Sequence, residues 1–209
     1  MTLRVALSVA LLVVFGASSC GGTETVAASD PPRTYSPSDL EAFVLRPDEG
    51  PEGTRFVEGA SGPLTLERFW PSSCCPSQQQ AFAEAGFLAG YGVLFERPGR
   101  SGEPIDTRPG FEQLSSRAAL FRAKAGASEA MAGWTEYQDA GELDPLPARG
   151  LGEEAGAFVG SPDAPAETVV LFVWRMGRLL LYLRASMGTG TVPVEQVRVL
   201  ADRMDRRAS

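Results

Sequence analysis

The chain has 209 residues, 44% of them hydrophobic, with 26 acidic against 19 basic side chains and no histidine. The acidic balance excludes a nucleic-acid binder, which needs clustered cations to neutralise phosphates, and a domain held to anionic lipid by a basic patch. Without histidine there is no Ser-His-Asp or Cys-His mechanism, and the commonest zinc ligand is missing.

Met-Thr-Leu-Arg opens the chain, an apolar run follows from Val5 to Phe15, and small residues from Gly16 to Ser19 lead into Cys20-Gly21-Gly22. One cation, a short apolar stretch and a small-residue exit make a secretory signal peptide over residues 1–19. The run falls short of the roughly 20 residues that span a bilayer. Ala17-Ser18-Ser19-Cys20-Gly21 resembles the lipobox of bacterial lipoproteins, whose cysteine is diacylated and becomes the new N-terminus. Ala17 stands where that pattern usually carries Leu or a similar aliphatic residue. The resemblance implies a lipid on Cys20 and a domain tethered to the extracytoplasmic face of the cell membrane, since two or three acyl chains exceed the threshold for stable anchoring. The alternative is an ordinary secretory signal cut near Ala17 to Ser19, which leaves Cys20 a free thiol. Removing residues 1–19 takes away Arg4 and no acid, leaving 18 cations, 26 acids and a net charge of −8.

Residues 20–35 are polar and aperiodic and read as a flexible tether. Residues 36–209 read as a single α+β domain, long enough to bury about 70% of its unfolded surface. Ser36-Pro37-Ser38-Asp39 starts a short helix to about Val44, with Ser36 as cap and Leu40, Phe43 and Val44 facing inward. Pro47, Gly50, Pro51 and Gly53 mark a loop. Thr54 to Glu58 reads as a strand, Thr65 to Trp70 as a short helical segment, and Pro76 to Ala85 as a helix burying Phe82 and Ala85 and stopped by Gly86. In the strand Phe87 to Arg97, Ala89, Tyr91, Val93 and Phe95 share one face. Gly90 and Gly92 share the other, so something packs very close there.

Glu112 to Phe121 alternates weakly and reads as a strand. Ala125 to Gln138 reads as a helix with Ala127, Ala130, Met131, Trp134 and Tyr137 at helical spacing. Asp139 to Gly152 reads as a loop, Glu154 to Val159 as a strand, and Ser161-Pro162-Asp163-Ala164-Pro165 as a turn. Thr168 to Arg175 and Arg178 to Ala185 form a hairpin around Met176-Gly177. Both arms are nearly continuously apolar, which places this hairpin, near residues 168–185, in the middle of a sheet covered on both faces. A helix from about Pro193 to Arg206 carries Val194, Val197, Leu200, Ala201 and Met204 on one stripe and lies across the sheet. Hairpin-connected strands with helices between them define an α+β fold built on an antiparallel sheet.

The turn Leu151-Gly152-Glu153-Glu154-Ala155, the Val-rich strand into Trp174-Arg175-Met176-Gly177 and the closing amphipathic helix resemble uncharacterised secreted lipoproteins of high-GC bacteria. The order of elements is also similar to extracytoplasmic sensor-type and photosystem subunit P-like domains. That resemblance covers roughly residues 36–209 and brings no catalytic residue with it. In many such sequences the hairpin turn ends Gly-Asn; here it ends Gly177-Arg178.

Cys74-Cys75-Pro76 is the one reactive-looking cluster, at a helix N-terminus where the dipole lowers a thiol's pKa. It reads as a structural pair, as a disulfide or redox pair, or as a poor soft-metal site lacking a third ligand. Catalytic redox proteins normally use Cys-X-X-Cys, which is absent. Glu153-Glu154 and the loop Asp48-Glu49 to Glu52 read as solvated charged turns rather than acid-base pairs or a calcium site. Gly188-Thr189-Gly190 is a loop entering a helix rather than a phosphate cradle. The reading is a non-enzymatic, membrane-tethered domain binding a small ligand or an envelope protein, with no cofactor, metal or nucleic acid. The alternatives are a histidine-independent enzyme using Cys74 and Cys75, or a structural accessory subunit of an envelope complex.

Overall fold

The computed structural model describes residues 34–98, 110–139, 143–161, 167–188 and 193–209. Cys20, the signal peptide, nearly all of the tether, the turn at 162–165, Thr189, Gly190 and the Tyr137 side chain lie outside the described residues.

The β-rich sequence stretches become eight strands: β1 (Arg55–Phe56), β2 (Gly62–Leu64), β3 (Phe87–Glu96), β4 (Phe111–Phe121), β5 (Asp144–Leu146), β6 (Glu154–Gly160), β7 (Thr168–Met176) and β8 (Leu179–Met187). All of their pairings are antiparallel, in the order β1-β3-β4-β8-β7-β6-β5, with β2 also on β3. The sheet is thus two meanders joined where β4 meets β8, and the β7–β8 hairpin sits near its middle. The hairpin loop is Gly177-Arg178 rather than Met176-Gly177, because Met176 pairs with Leu179. Gly177 takes φ 57° there, a conformation that costs glycine nothing.

Five helices pack on this sheet: α1 (Leu40–Phe43), α2 (Leu66–Phe69), α3 (Pro76–Glu84), α4 (Lys124–Asp139) and α5 (Val194–Ala208). Strand alternation sends side chains to two separate cores. On the first face, Leu114, Ala118, Leu120, Phe172, Trp174, Leu181 and Leu183 meet Leu40 and Phe43 of α1 and Val197, Leu200, Ala201 and Met204 of α5. On the second, Ala119, Phe121, Leu171, Val173, Leu180 and Tyr182 meet Phe69, Phe82, Ala127, Ala130, Met131 and Trp134 from α2, α3 and α4. This is why both hairpin arms are apolar throughout: each fully buried Leu, Val or Phe contributes about 1.5–3 kcal/mol, and both faces have a core to fill.

The strand expected over Thr54 to Glu58 survives only as β1, because a single 3-10 turn at Glu58–Ala60 interrupts it before β2 resumes along β3. The stretch from Asp139 to Gly152, expected as loop, contains β5. Pro63 in β2 and Pro145 in β5 hid these two strands, and both lie on sheet edges, where a missing N–H breaks no ladder and blocks further pairing. The start and end of the described chain are tied together on the first face. Buried Tyr35 donates its hydroxyl to the Ala208 carbonyl at 3.0 Å, and the Arg178 guanidinium donates to the Tyr35 carbonyl.

Candidate functional site

The second face of the sheet changes character along its strands. Near the β7–β8 turn it is apolar, with Phe121, Leu180 and Tyr182 under α3 and α4. Towards the other end the same face carries Gln113, Ser115 and Arg117 on β4 and Arg184 and Ser186 on β8, where Ser115 pairs with Arg184 and Gln113 with Ser186. A polar strip on two central strands is costly unless each group finds a partner. Gln113 does, donating to Glu96 at 3.1 Å; the Ser186 hydroxyl is buried and has none.

Arg117 is the centre of this strip, and the fold reaches it in three steps. Gly90 and Gly92 of β3 leave a groove in which a Cβ would stand 2.8 Å from the Phe69 ring and 2.7 Å from Leu64. Leu64 fills the groove, the Thr65 hydroxyl caps α2 by accepting the Arg68 N–H, and Phe69 docks over Gly90. The Phe69 carbonyl then accepts Arg117 Nη1–H at 2.7 Å, while Nε–H reaches Ser115 Oγ at 3.2 Å. The guanidinium carbon lies 5.4 Å from the Phe69 ring centre and 5.8 Å from that of Tyr182. Tyr182 packs against Trp134, and Trp134 against Trp70, each at 4.8 Å between ring centres with the rings tilted by 37° and 51°. Half-buried Arg117 has no carboxylate partner among the described residues, and its Nη2 donors are unspent.

Cys74 and Cys75 sit beside this place as free thiols, Cys74 exposed and Cys75 half-buried against the second core. The helix-dipole expectation for this pair fails at Cys75. Burial, then the hydrogen bond and charge of Cys74, push its thiol up from 9.0 to about 11, with Arg117 opposing only weakly. At neutral pH Cys75 is therefore a protonated thiol, the opposite of an activated nucleophile.

The two acidic turns are not idle solvent loops. Glu153 and Glu154 grip Arg175, whose side chain is 7% exposed, at 2.9 and 3.0 Å, and Glu153 also pairs with Lys124 at 2.6 Å and accepts the Gly177 N–H at 3.0 Å. The Lys124 hydrogen bond first, then Arg175 and the Gly177 amide, outweigh desolvation and hold the Glu153 carboxyl down at about 2. The two motifs quoted from the sequence, Leu151 to Ala155 and Trp174 to Gly177, thus meet in space and lock the central hairpin to β6. Glu49 is 13% exposed and pairs with Arg203 and Arg207 of α5. Burial would raise its carboxyl, but the Arg207 hydrogen bond, the Arg46 N–H and both arginine charges reverse that and hold it below 4.5. Glu153, Glu154 and Glu49 are thus engaged in structure, while Asp48 and Glu52 of the second loop are exposed, as a solvated charged turn would have them. At Gly188 a Cβ would lie 3.2 Å from Glu112 Oε1, the same carboxylate oxygen that stands 3.3 Å from Arg97; the rest of the glycine loop lies outside the described residues. Among the described residues no three His, Cys, Asp or Glu side chains group as metal ligands, and no helix is long and apolar enough to cross a membrane.

Sequence reasoning passed over Arg117 because its partners come from α2, β4 and β8. The available signal was polar Gln113, Ser115 and Arg117 at a period of two in a strand whose neighbours make it central.

The fold and this site define an α+β domain with an antiparallel sheet clad on both faces. It is similar to the crystal structure of the extracellular domain of PknH from Mycobacterium tuberculosis, with a TM-score of 0.57 at 10% sequence identity, covering 84% of this chain and 97% of that one. At that identity the likeness is one of fold. No family model matches the chain, and no curated protein does.

Proposed function

We propose that this protein is an extracytoplasmic lipoprotein, anchored to the cell membrane through acylated Cys20, whose α+β domain binds a ligand or envelope partner without catalysis. The signal peptide and the lipobox-like Ala17-Ser18-Ser19-Cys20 support the anchor. The likeness of fold to an extracellular bacterial domain supports the location. The observation that favours binding over thiol chemistry is that Cys74 and Cys75 are adjacent free thiols, not a Cys-X-X-Cys pair, with Cys75 half-buried against the second core, where burial pushes its thiol up.

Cell fractionation of the full chain and of Cys20→Ala, expressed in a bacterium that processes lipoproteins, tests the proposal. The parent is expected in the membrane fraction and in the detergent phase after cloud-point partitioning, and the variant in neither. A parent chain found in the medium or the aqueous phase overturns it.

A further inference from the structure

We infer that the cavity between loop 47–51 and α5, on the first face of the sheet, holds a small zwitterion with an apolar body, an α-amino acid such as leucine being the simplest. The inference rests on the reading of this domain as one that binds a ligand, but not on a lipid at Cys20. The cavity has a volume of about 340 Å³, at the small end for ligand pockets. Gln196, Val199, Leu200 and Arg203 line it from α5, three and four residues apart and so on one side of the helix. Asp48, Gly50 and Pro51 line it from the loop, and Phe111 of β4 from the sheet. The cavities at Phe82 and at Leu88 have no charged side chain in their walls, so of these three this is the one that can hold a ligand by charge.

The charges in its wall select the ligand. Asp48 and Arg203 line the same cavity and do not pair with each other, and Asp48 makes no hydrogen bond or ion pair among the described residues. Arg203 stands 3.6 Å from Glu49, beyond a hydrogen bond, while Arg207 binds that carboxylate from closer. The Glu49 charge is thus spent on Arg207, and the donors of Arg203 remain for a ligand. A simple anion or cation entering here meets one wall charge that suits it and one that repels it. A zwitterion satisfies both, with its ammonium on Asp48 and its carboxylate in the Arg203 fork. Val199, at 53% exposure, is one of two large apolar side chains left exposed among the described residues, and with Pro51 and Leu200 it offers the body an apolar surface. The loop wall is fixed before a ligand comes, which cuts the cost of ordering it. Glu49 accepts the Arg46 N–H at 2.7 Å, Thr54 Oγ1 donates to the Pro51 carbonyl at 2.7 Å, and Gly50 lies so close to Phe95 that a Cβ would stand 2.4 Å from the ring.

The test is calorimetric titration of the full chain in detergent with leucine, 4-methylpentanoate, leucinamide and glycine, in about 0.15 M salt to screen charges outside the cavity. Saturable binding of leucine is expected, at least about 10-fold tighter than that of 4-methylpentanoate, which lacks the ammonium, or of leucinamide, which lacks the carboxylate. Glycine, which lacks the body, should bind more weakly than leucine. Arg203→Gln and Asp48→Asn should each weaken leucine about 10- to 100-fold, whereas Arg206→Gln, at an exposed position of α5 outside the cavity, should leave it unchanged. The two variants should also lose different preferences: Arg203→Gln that for leucine over leucinamide, Asp48→Asn that for leucine over 4-methylpentanoate. The ligand series on the unmutated chain needs no variant to fold. No saturable binding of leucine, equal affinity for leucine and its two singly charged analogues, or preferences unaltered in both variants would each overturn the inference. The Cys20 fractionation is read independently, so failure of one does not decide the other.

Discussion

Two glycines in one helix should respond to the same substitution with opposite signs. Gly126 lies in the first turns of α4, where it crosses the end of α3, and a Cβ there would stand 1.9 Å from the Ala85 carbonyl oxygen. That neighbour is backbone at the C-terminus of a helix, so it cannot rotate away, and the helices would have to part by more than an ångström. Gly133, seven residues on, has nothing within 4 Å of the same built atom. Neither glycine takes a positive φ, so space alone separates them. Gly to Ala in a helix interior is worth about 1 kcal/mol when nothing is in the way. Overpacking a rigid contact costs about 3 kcal/mol, at the upper end of the usual range. Gly126→Ala should therefore lose about 2 kcal/mol net and lower Tm by about 4–8 °C, while Gly133→Ala gains up to about 1 kcal/mol and raises it by about 2–4 °C. Thermal melts of the two variants beside the parent, followed by circular dichroism, measure this. A stabilised Gly126→Ala, or equal shifts for both, would refute the close α3–α4 crossing that places Trp134 over Tyr182.

The Glu153 carboxyl, held at about 2 against an ordinary 4.5, stabilises the fold above pH 4.5, and that contribution disappears as pH falls towards 2. Taken whole the difference is worth about 3 kcal/mol, but a side chain 44% exposed is screened, and about 1 kcal/mol remains. Urea titrations should show Glu153→Gln less stable than the parent by about that amount at neutral pH, with more than half of the gap gone by about pH 3; a gap independent of pH contradicts the ion-pair account. For the thiols, iodoacetamide should modify exposed Cys74 first and half-buried Cys75 slowly, with Cys75 accelerating as pH approaches 11. Rapid labelling of Cys75 at pH 7, mapped by peptide mass, would restore the redox reading.

Much of the fold was legible because its signals are redundant. The apolar runs of β7 and β8, the stripe from Val197 to Met204 in α5, and Gly90 and Gly92 opposite Val93 and Phe95 each state a burial pattern that the two cores then satisfy. What escaped was local or long-range. Pro63 and Pro145 read as breakers, and only edge pairing makes them harmless. The charges escaped for a different reason. Glu49 is 158 residues from Arg207, and Glu154 is 21 from Arg175, so nothing adjacent in sequence marks either as a partner. Arg117 is further hidden because its neighbours are a carbonyl and two rings, none of which carries a charge to look for.

The anchor is tested most directly by the intact mass of the full chain extracted in detergent from a lipoprotein-processing bacterium. The account predicts a species that begins at Cys20 and carries the added mass of a diacylglyceryl group, with or without a further amide-linked chain. A species that lacks the lipid, whether it begins before, at or after Cys20, would make this a released secretory protein and contradict the tethered one.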